Sequence, residues 1–181
     1  MNNLGTKTLK TNRLILRQFK IDDAQMFFDN WANDERVTKY LTWNPHKTVA
    51  LTKQLLTEWI NNYQYNNYYQ WAIELKENKE VIGAISIVDM DEKNETVEVG
   101  YSLSYKYWNQ GIMTESLKKV IEFFFNEVKI KKLIARHDSR NIASGCVMKK
   151  CGMKYIKSIE DVNKNENIIL NYYEILNGSD S

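Results

Sequence analysis

The chain has 181 residues, of which 43% are hydrophobic and 27% are charged, as is ordinary for a globular protein. This length is enough for a single domain over residues 1–181 with its own hydrophobic core. The net charge of +2, from 25 basic and 23 acidic residues, gives no reason to expect a nucleic-acid partner or an anionic membrane surface. The N-terminal segment is polar and no stretch approaches the roughly 20 apolar residues that span a bilayer, so we expect a cytoplasmic protein without a membrane partner.

Metal and disulfide chemistry find no support in the sequence. The two cysteines, Cys146 and Cys151, are too few for a disulfide framework and have no partners at zinc-binding spacing. We find no other metal-ligand spacing and no nucleophilic triad. We therefore expect neither a bound metal nor a covalent enzyme intermediate.

The first part of the chain predicts one strand and two helices. Leu14–Leu16 is the strand, and Asp22 with Gln25 three residues later forms a capping-box pattern for the first helix. After a linking segment over residues 33–45, Thr48 is the predicted N-cap of the second helix. The apolar face of that helix consists of Leu51, Leu55, Leu56, Trp59 and Ile60.

The middle of the chain predicts three consecutive strands, Tyr69–Leu75, Val81–Val88 and Thr96–Leu103. Because short polar turns join them, we expect an antiparallel meander. The remainder alternates helices and strands: a helix over Thr114–Glu127, a strand over Lys132–Arg136, a helix over Ile142–Cys151, and strands over Met153–Ser158 and Asn167–Leu176. The pattern predicts a mixed α/β fold with a mostly antiparallel sheet of about seven strands and about four helices. We expect a monomer, or a homodimer formed by pairing of the final strand at the sheet edge.

The turn over residues 105–115 joins the third meander strand to the amphipathic helix. It is polar, contains Gly111 and opens a helix, so it offers backbone N–H groups and a partial positive charge to an anion. It lacks the GxxxxGK[ST] pattern and has too few glycines for GxGxxG. A pyrophosphate fits this geometry, but the turn alone does not identify the ligand that carries the pyrophosphate.

The neighbouring motifs give the turn its meaning. It follows Glu98-Val99-Gly100-Tyr101 and precedes Asn141-Ile142-Ala143-Ser144 and Lys150-Cys151-Gly152-Met153. This run resembles the GNAT superfamily of acyl-CoA-dependent N-acetyltransferases, and it is most similar to the branch that includes the ribosomal-protein-alanine N-acetyltransferases. The similarity extends to the front of the chain, in residues 11–17, 23–24, 43–46, 71–73 and 82–83. It implies acetyl-CoA as cosubstrate and a sheet split between the fourth and fifth predicted strands.

The resemblance also implies a set of residues that hold the acyl donor. They are Tyr101, Ser102 and Leu103 for the pantetheine arm, Trp108, Asn109, Gln110, Gly111, Ile112, Met113 and Thr114 for the pyrophosphate, and Asn141 and Ser144 at the next helix. Asn109 stands where the family commonly has glycine, and asparagine tolerates a positive φ better than other non-glycine residues. Gly100 permits a bulge or a close approach of backbone. Asn141 is also a good N-cap, and the two roles are compatible.

Three catalytic groups are expected. Strand alternation puts Glu98 on the face opposite Val97 and Val99, which belong to the core, so Glu98 is the candidate general base, acting through water. Ser144 matches the hydroxyl that the family places near the thioester sulfur. A backbone N–H between Val99 and Tyr101 is the candidate donor to the oxyanion.

The acceptor is less well defined. The resemblance puts Trp31, Trp43 and His46 on the substrate side, while His137, at the end of a strand, is expected to be structural. The branch implies a protein N-terminus, and a polyamine, an amino acid or an antibiotic remains open. A second hypothesis is a non-catalytic acyl-CoA sensor, which the presence of Glu98 and Ser144 disfavours. A flavin- or nucleotide-binding fold is a third, and the meander argues against it.

Overall fold

The computed structural model describes residues 1–178 and contains one mixed sheet of eight strands. The strands are β1 (Leu9–Lys10), β2 (Leu14–Arg17), β3 (Gln70–Leu75), β4 (Val81–Asp91), β5 (Thr96–Leu103), β6 (Lys132–Asp138), β7 (Lys154–Asn163) and β8 (Glu166–Leu176). The α-helices are α1 (Ala24–Phe27), α2 (Glu35–Thr38), α3 (Val49–Asn62), α4 (Ile112–Phe123) and α5 (Ile142–Lys150). Short 3₁₀ or π-helical turns occur at Ile21–Asp23, Phe28–Ala32, Tyr105–Tyr107 and Phe124–Val128.

The sheet has the order β1-β2-β3-β4-β5-β6-β8-β7, and β5 and β6 form its parallel pair. Their pairing runs from Thr96 opposite Lys132 to Val99 opposite Ala135 and then stops. Beyond that point each strand keeps only its other neighbour: β6 remains paired with β8 up to Asp138, and β5 with β4 up to Leu103. The predicted split between the fourth and fifth strands is therefore confirmed, since these are β5 and β6.

The alternation of side chains along the strands produces two cores, one on each face of the sheet. In β3, Trp71 and Ile73 pack in the core that includes Leu117 of α4, whereas Ala72 packs with Leu56 of α3 on the opposite face. All five side chains are fully buried. Because burying a large apolar side chain contributes about 1.5–3 kcal/mol, these two cores hold the helices to the sheet.

Several local predictions are wrong. The first helical segment begins at Ile21, and its carboxylate cap is Asp23 rather than Asp22: the Lys20 N–H donates to Asp23 Oδ2 at 2.7 Å. Arg17 holds the same carboxylate with two hydrogen bonds. The linking segment contains the short helix α2, and Leu51 is 47% exposed instead of lying on the apolar face of α3. The cap of α3 is confirmed, since the Thr48 side chain accepts from Leu51 N–H.

The prediction that the final strand lies at the edge of the sheet is also wrong. β8 lies between β6 and β7, with antiparallel partners on both sides, so its backbone groups are already paired. β7 is the outer strand at this end of the sheet instead. Over residues 1–178, the structure has no helix that is both long and apolar enough to cross a bilayer.

Candidate active site

Two cavities meet where β5 and β6 separate. One has a volume of about 290 Å³ and lies between the turn before α4 and the helix α5; we call it the turn cavity. The other has a volume of about 400 Å³ and lies over the sheet, beneath the loop after α2; we call it the sheet cavity. Tyr101, Ser102, Asn141 and Ser144 line both cavities, together with Leu41. The turn cavity and the sheet cavity therefore adjoin at the split in the sheet.

The turn cavity is lined by every residue predicted to hold the acyl donor except Gln110. Its wall includes the start of α4, where Gly111 is the N-cap with a φ of 74° and Asn109 has a φ of 59°. The expected positive φ at Asn109 is confirmed. The first hydrogen bond of α4 runs from Glu115 N–H to Gly111 O, so the preceding N–H groups have no partner within the helix. Their geometry and the helix dipole fit a diphosphate.

The turn is held from a distant part of the chain by Arg13. Its Nε donates to Glu115 Oε2 at 2.7 Å, and its Nη1 donates to the Gln110 carbonyl oxygen at 3.0 Å. The Thr11 hydroxyl donates to Glu115 Oε1 at 2.6 Å. Gln110 therefore supports the turn from outside the cavity. Sequence reasoning missed this clasp, because Arg13 and Glu115 are 102 residues apart and neither has a local signal that points to the other.

The strand β5 is approached closely by β4 just before the split. The bulge lies in β4, between Ile87 and Asp89, and not in β5 as Gly100 had suggested. Gly100 instead accommodates Val88, because a Cβ atom at position 100 would lie 2.9 Å from Val88 Cγ1. Beyond this point the Trp108 indole donates to the Leu103 carbonyl oxygen at 2.9 Å and fixes the turn to the end of β5.

At the junction of the two cavities, a tyrosine from β5 meets the first turn of α5. The Tyr101 hydroxyl donates to the Ser144 carbonyl oxygen at 3.1 Å, and Ser144 Oγ donates to the Tyr101 hydroxyl oxygen at 3.1 Å. Burial raises the pKa of Tyr101 above its ordinary value, so this hydroxyl keeps its proton. Asn141 caps α5, accepting from Ser144 N–H at 3.3 Å. The predicted N-cap role of Asn141 is therefore confirmed.

Glu98 lies in the sheet cavity, on the face opposite the buried Val97 and Val99, as the alternation predicts. Its side chain is 15% exposed, and its Oε1 lies 2.8 Å from Arg136 Nε. Burial raises the pKa of Glu98, the positive charge of Arg136 opposes that rise, and Asp89 adds to it. The carboxylate is thus a stronger base than an exposed glutamate.

Of the three residues expected on the substrate side, Trp43 lines the sheet cavity. Trp31 does not: it is fully buried and stacks on Phe27 at 4.3 Å between ring centroids, because it belongs to the core beneath α1. His46 lines neither cavity, since its Nδ1 lies 2.7 Å from Thr52 Oγ1, and its ring packs 5.2 Å from that of Trp43. Burial lowers the pKa of His46. Contrary to the expectation for substrate-side residues, neither Trp31 nor His46 lies on the wall of a cavity.

Other residues of the sheet cavity were not predicted to belong to a site. Tyr40 and Trp59 add aromatic surface, and Asp161 adds a carboxylate from β7. The tip of the β7–β8 hairpin is tied across the cavity, because Lys164 Nζ donates to the Thr38 carbonyl oxygen at 2.7 Å and Asn163 Nδ2 to that of Leu41 at 3.2 Å. His137 is buried, as expected of a structural residue, but it also contributes to the wall.

The structure is therefore an open mixed sheet, split beside a helix N-terminus, with two cavities that share lining residues at the split. The family model described as "Acetyltransferase (GNAT) domain" matches residues 13–154. The chain therefore belongs to the GNAT acetyltransferase family and is an acetyl-CoA-dependent N-acetyltransferase.

One relative by sequence and two solved structures with the same fold are similar to this chain. The uncharacterized N-acetyltransferase YoaA of Bacillus subtilis is 30% identical over 146 residues, which cover 81% of this chain and 82% of YoaA. The structure of RimL, a ribosomal L7/L12 α-N-protein acetyltransferase in complex with coenzyme A, superimposes with a TM-score of 0.85 at 17% identity, covering 96% of this chain and all of that one. The self-immunity acetyltransferase MccE, in complex with acetyl-CoA and AMP, has a TM-score of 0.82 at 17% identity and covers 92% and 93% of the two chains.

Proposed function

We propose that the protein transfers the acetyl group of acetyl-CoA directly to the α-amino group of a protein N-terminus. The observation that carries this proposal is the junction of the two cavities, with Ser144 on one side and Glu98 in the space beyond it. A thioester in the turn cavity and an amine in the sheet cavity would meet there. Holding both reactants in place supplies much of the rate enhancement without a covalent enzyme intermediate.

The donor would lie along the turn cavity. Its diphosphate would accept hydrogen bonds from the N–H groups at the start of α4, and its pantetheine arm would follow the edge of β5 from Tyr101 to Leu103. This edge is available because the pairing between β5 and β6 ends at Val99. A backbone N–H between Val99 and Tyr101 would then stabilise the negative charge that develops on the carbonyl oxygen of the thioester.

Proton transfer would fall to Glu98. The attacking amine must lose a proton, and Glu98 would accept it through a water molecule in the sheet cavity. Because the pKa of Glu98 is raised, it lies closer to the pKa of an α-amino group, which is ordinarily about 7.7–8.0. A lysine side chain, at about 10.4, would need a stronger base. Ser144 would donate a hydrogen bond to the sulfur as the C–S bond breaks.

The charges of the sheet cavity support an acceptor with one amino group. Glu98 is paired with Arg136, and Asp138 accepts from Arg140 Nη2 at 2.7 Å and Nε at 2.9 Å. Two of the carboxylates near the junction are therefore already neutralised by arginine. A polyamine would find less unpaired negative charge here than its several ammonium groups require. The relative RimL acts on a ribosomal protein's α-amino group, which points the same way.

A second candidate is a small amine that carries a planar ring. Tyr40, Trp43 and Trp59 give the sheet cavity an aromatic wall on which such a ring could stack. The relative MccE was solved with AMP as well as acetyl-CoA, which is the reason to keep this class.

The test is calorimetric titration with acetyl-CoA, followed by thiol release with a panel of acceptors. The panel holds peptides beginning with Ala or Ser, the same peptides with a blocked N-terminus and one internal lysine, spermidine, an aminoglycoside and an aminoacyl nucleoside. Turnover on the free peptides but not on the blocked ones supports the proposal. Turnover on the nucleoside alone favours the second candidate. Binding of acetyl-CoA without turnover on any acceptor would support the acyl-CoA sensor instead, and absence of binding would contradict all three.

A further inference from the structure

Tyr101 interrupts an apolar row. Along the core-facing side of β5 it follows Val97 and Val99 and precedes Leu103, all of which are buried. Tyr101 itself is partly buried and lines both cavities, and a phenylalanine would fill nearly the same volume without a hydroxyl group that needs a hydrogen-bond partner there. The hydroxyl at this position therefore calls for a reason other than packing.

Its partners supply that reason. Both hydrogen bonds of the Tyr101 hydroxyl go to one residue, Ser144: one to the carbonyl oxygen and one from Oγ, each at 3.1 Å. The two residues are 43 positions apart and join β5 to α5. They do so beyond Val99 and Ala135, where the direct pairing of β5 with β6 has ended. Hence a side-chain link replaces the missing strand pairing at the point where the two cavities meet.

We propose that the Tyr101 hydroxyl is a positioning group that holds the Ser144 hydroxyl at the site of the departing sulfur. This inference rests on the proposed function. The bond from Tyr101 to the Ser144 carbonyl oxygen fixes the first turn of α5 against β5. The bond from Ser144 Oγ to Tyr101 fixes the rotamer of the serine and keeps its proton engaged while no sulfur is present.

In the reaction, rotation about one bond, Cβ–Oγ of Ser144, turns that proton from Tyr101 to the sulfur. When the tetrahedral adduct collapses, the C–S bond breaks and its electron pair remains on sulfur, while the carbonyl double bond re-forms. Ser144 donates a hydrogen bond to the resulting thiolate and keeps its own proton. The thiolate is protonated later from solvent, and Tyr101 keeps its proton throughout, so no charge is left on either hydroxyl.

The test is a double-mutant cycle with Tyr101→Phe and Ser144→Ala. Each single variant is expected to lower kcat about tenfold: Ser144→Ala loses one hydrogen bond made in the transition state, and Tyr101→Phe loses the placement of the hydroxyl that makes it. The affinity for acetyl-CoA, measured by calorimetry, should change less than about threefold, because neither hydroxyl is needed to hold the diphosphate. The double variant should be no slower than Ser144→Ala alone, because Tyr101 acts through Ser144. Ser144→Thr, which keeps a hydroxyl, should recover part of the lost kcat.

A matched control is available in Tyr63. Its hydroxyl also makes two hydrogen bonds, donating to the Gln70 carbonyl oxygen at 2.8 Å and accepting from Phe19 N–H at 2.9 Å, and Tyr63 lines neither cavity. Tyr63→Phe should lower the melting temperature as much as Tyr101→Phe does and leave kcat unchanged. Additive losses in the double variant, or an equal loss of kcat in Tyr63→Phe, would overturn the inference.

The inference can fail separately from the proposed function. If the wild-type protein binds acetyl-CoA and turns over, an unaltered kcat in Tyr101→Phe rejects the positioning role and leaves the proposed function intact. If the wild-type protein shows no turnover, amide hydrogen exchange over residues 145–148 tests whether Tyr101 holds the first turn of α5. Exchange there should be faster in Tyr101→Phe than in Tyr63→Phe, and equal rates would reject the link itself.

Discussion

The two cavities are built in different ways. The turn cavity takes most of its wall from two short stretches, residues 101–114 and 141–150, with Val37 and Leu41 added from elsewhere. The sheet cavity draws on side chains spread from Phe27 to Leu170. The first is shaped mainly by backbone conformation at a strand end and two helix starts. The second is shaped by side chains that only the folded sheet brings together, so substitutions in the two cavities should have separable effects.

The largest effect is expected for Glu98→Gln, which removes the candidate base from the sheet cavity. The rate constant kcat should fall by about 10²–10⁴-fold, the usual contribution of a general base. The dissociation constant of acetyl-CoA should stay the same, because the turn cavity is untouched. Stopped-flow thiol release and calorimetry measure the two quantities. Asp89→Asn is the control: Asp89 is an exposed carboxylate opposite Glu98, and kcat should stay within a few-fold. A loss in Asp89→Asn as large as that in Glu98→Gln would contradict a specific role.

Two tryptophans separate substrate contact from packing. Trp31→Ala should destabilise the fold by about 3–5 kcal/mol, because it empties a fully buried site. Trp43→Ala, at the half-buried wall of the sheet cavity, should lower the melting temperature much less than Trp31→Ala does and raise the KM of the acceptor several-fold, with the affinity for acetyl-CoA unaltered. Thermal unfolding and steady-state kinetics on both variants test this. An unchanged acceptor KM in Trp43→Ala would remove it from the acceptor site.

In the turn cavity, Gly111→Ala should weaken acetyl-CoA binding about tenfold. Its φ of 74° costs a residue with a side chain about 1–2 kcal/mol, and relief of that strain would turn the N–H groups away from the diphosphate. Gly178 has a φ of 83° with open space around it and lies at neither cavity, so Gly178→Ala carries the same strain without the effect on affinity. Calorimetry on both variants is the measurement. Equal affinities would mean that the turn does not hold the donor.

The smallest effect concerns pH. The positive charge of Arg136 lowers the pKa of Glu98, so Arg136→Met should raise that pKa. Because the base must be deprotonated to act, the acidic limb of kcat/KM should move to higher pH, by up to about 1 unit. Arg140→Met is the control, since Arg140 pairs with Asp138 and should leave the limb in place. The same acceptor must be used throughout, so that its own amine contributes equally to each profile. A shift to lower pH would refute the assignment of the limb to Glu98.

Much of the turn cavity was readable from the sequence because its determinants are local. The positive φ at Asn109 follows from the tolerance of asparagine for that conformation. In the sheet cavity one local rule also holds, because the two-residue period of a strand puts Glu98 on the face opposite Val97 and Val99. The clasp between Arg13 and Glu115 could not be read in this way, nor could the exchange of hydrogen bonds between Tyr101 and Ser144. Each joins residues that are far apart in sequence and neighbours only after the sheet has formed.

The sequence by itself determined the order of the main strands and helices, the helix start whose N–H groups have no partner within the helix, and the family to which the chain belongs. These follow from hydrophobic period, turn chemistry and caps, which act over a few residues. Only the tertiary structure decided that Trp31 lies in the core while Trp43 reaches a cavity, and that β7 rather than β8 is the outer strand. The physical reason is that burial and strand pairing depend on which surfaces meet, and local pattern does not specify that partner.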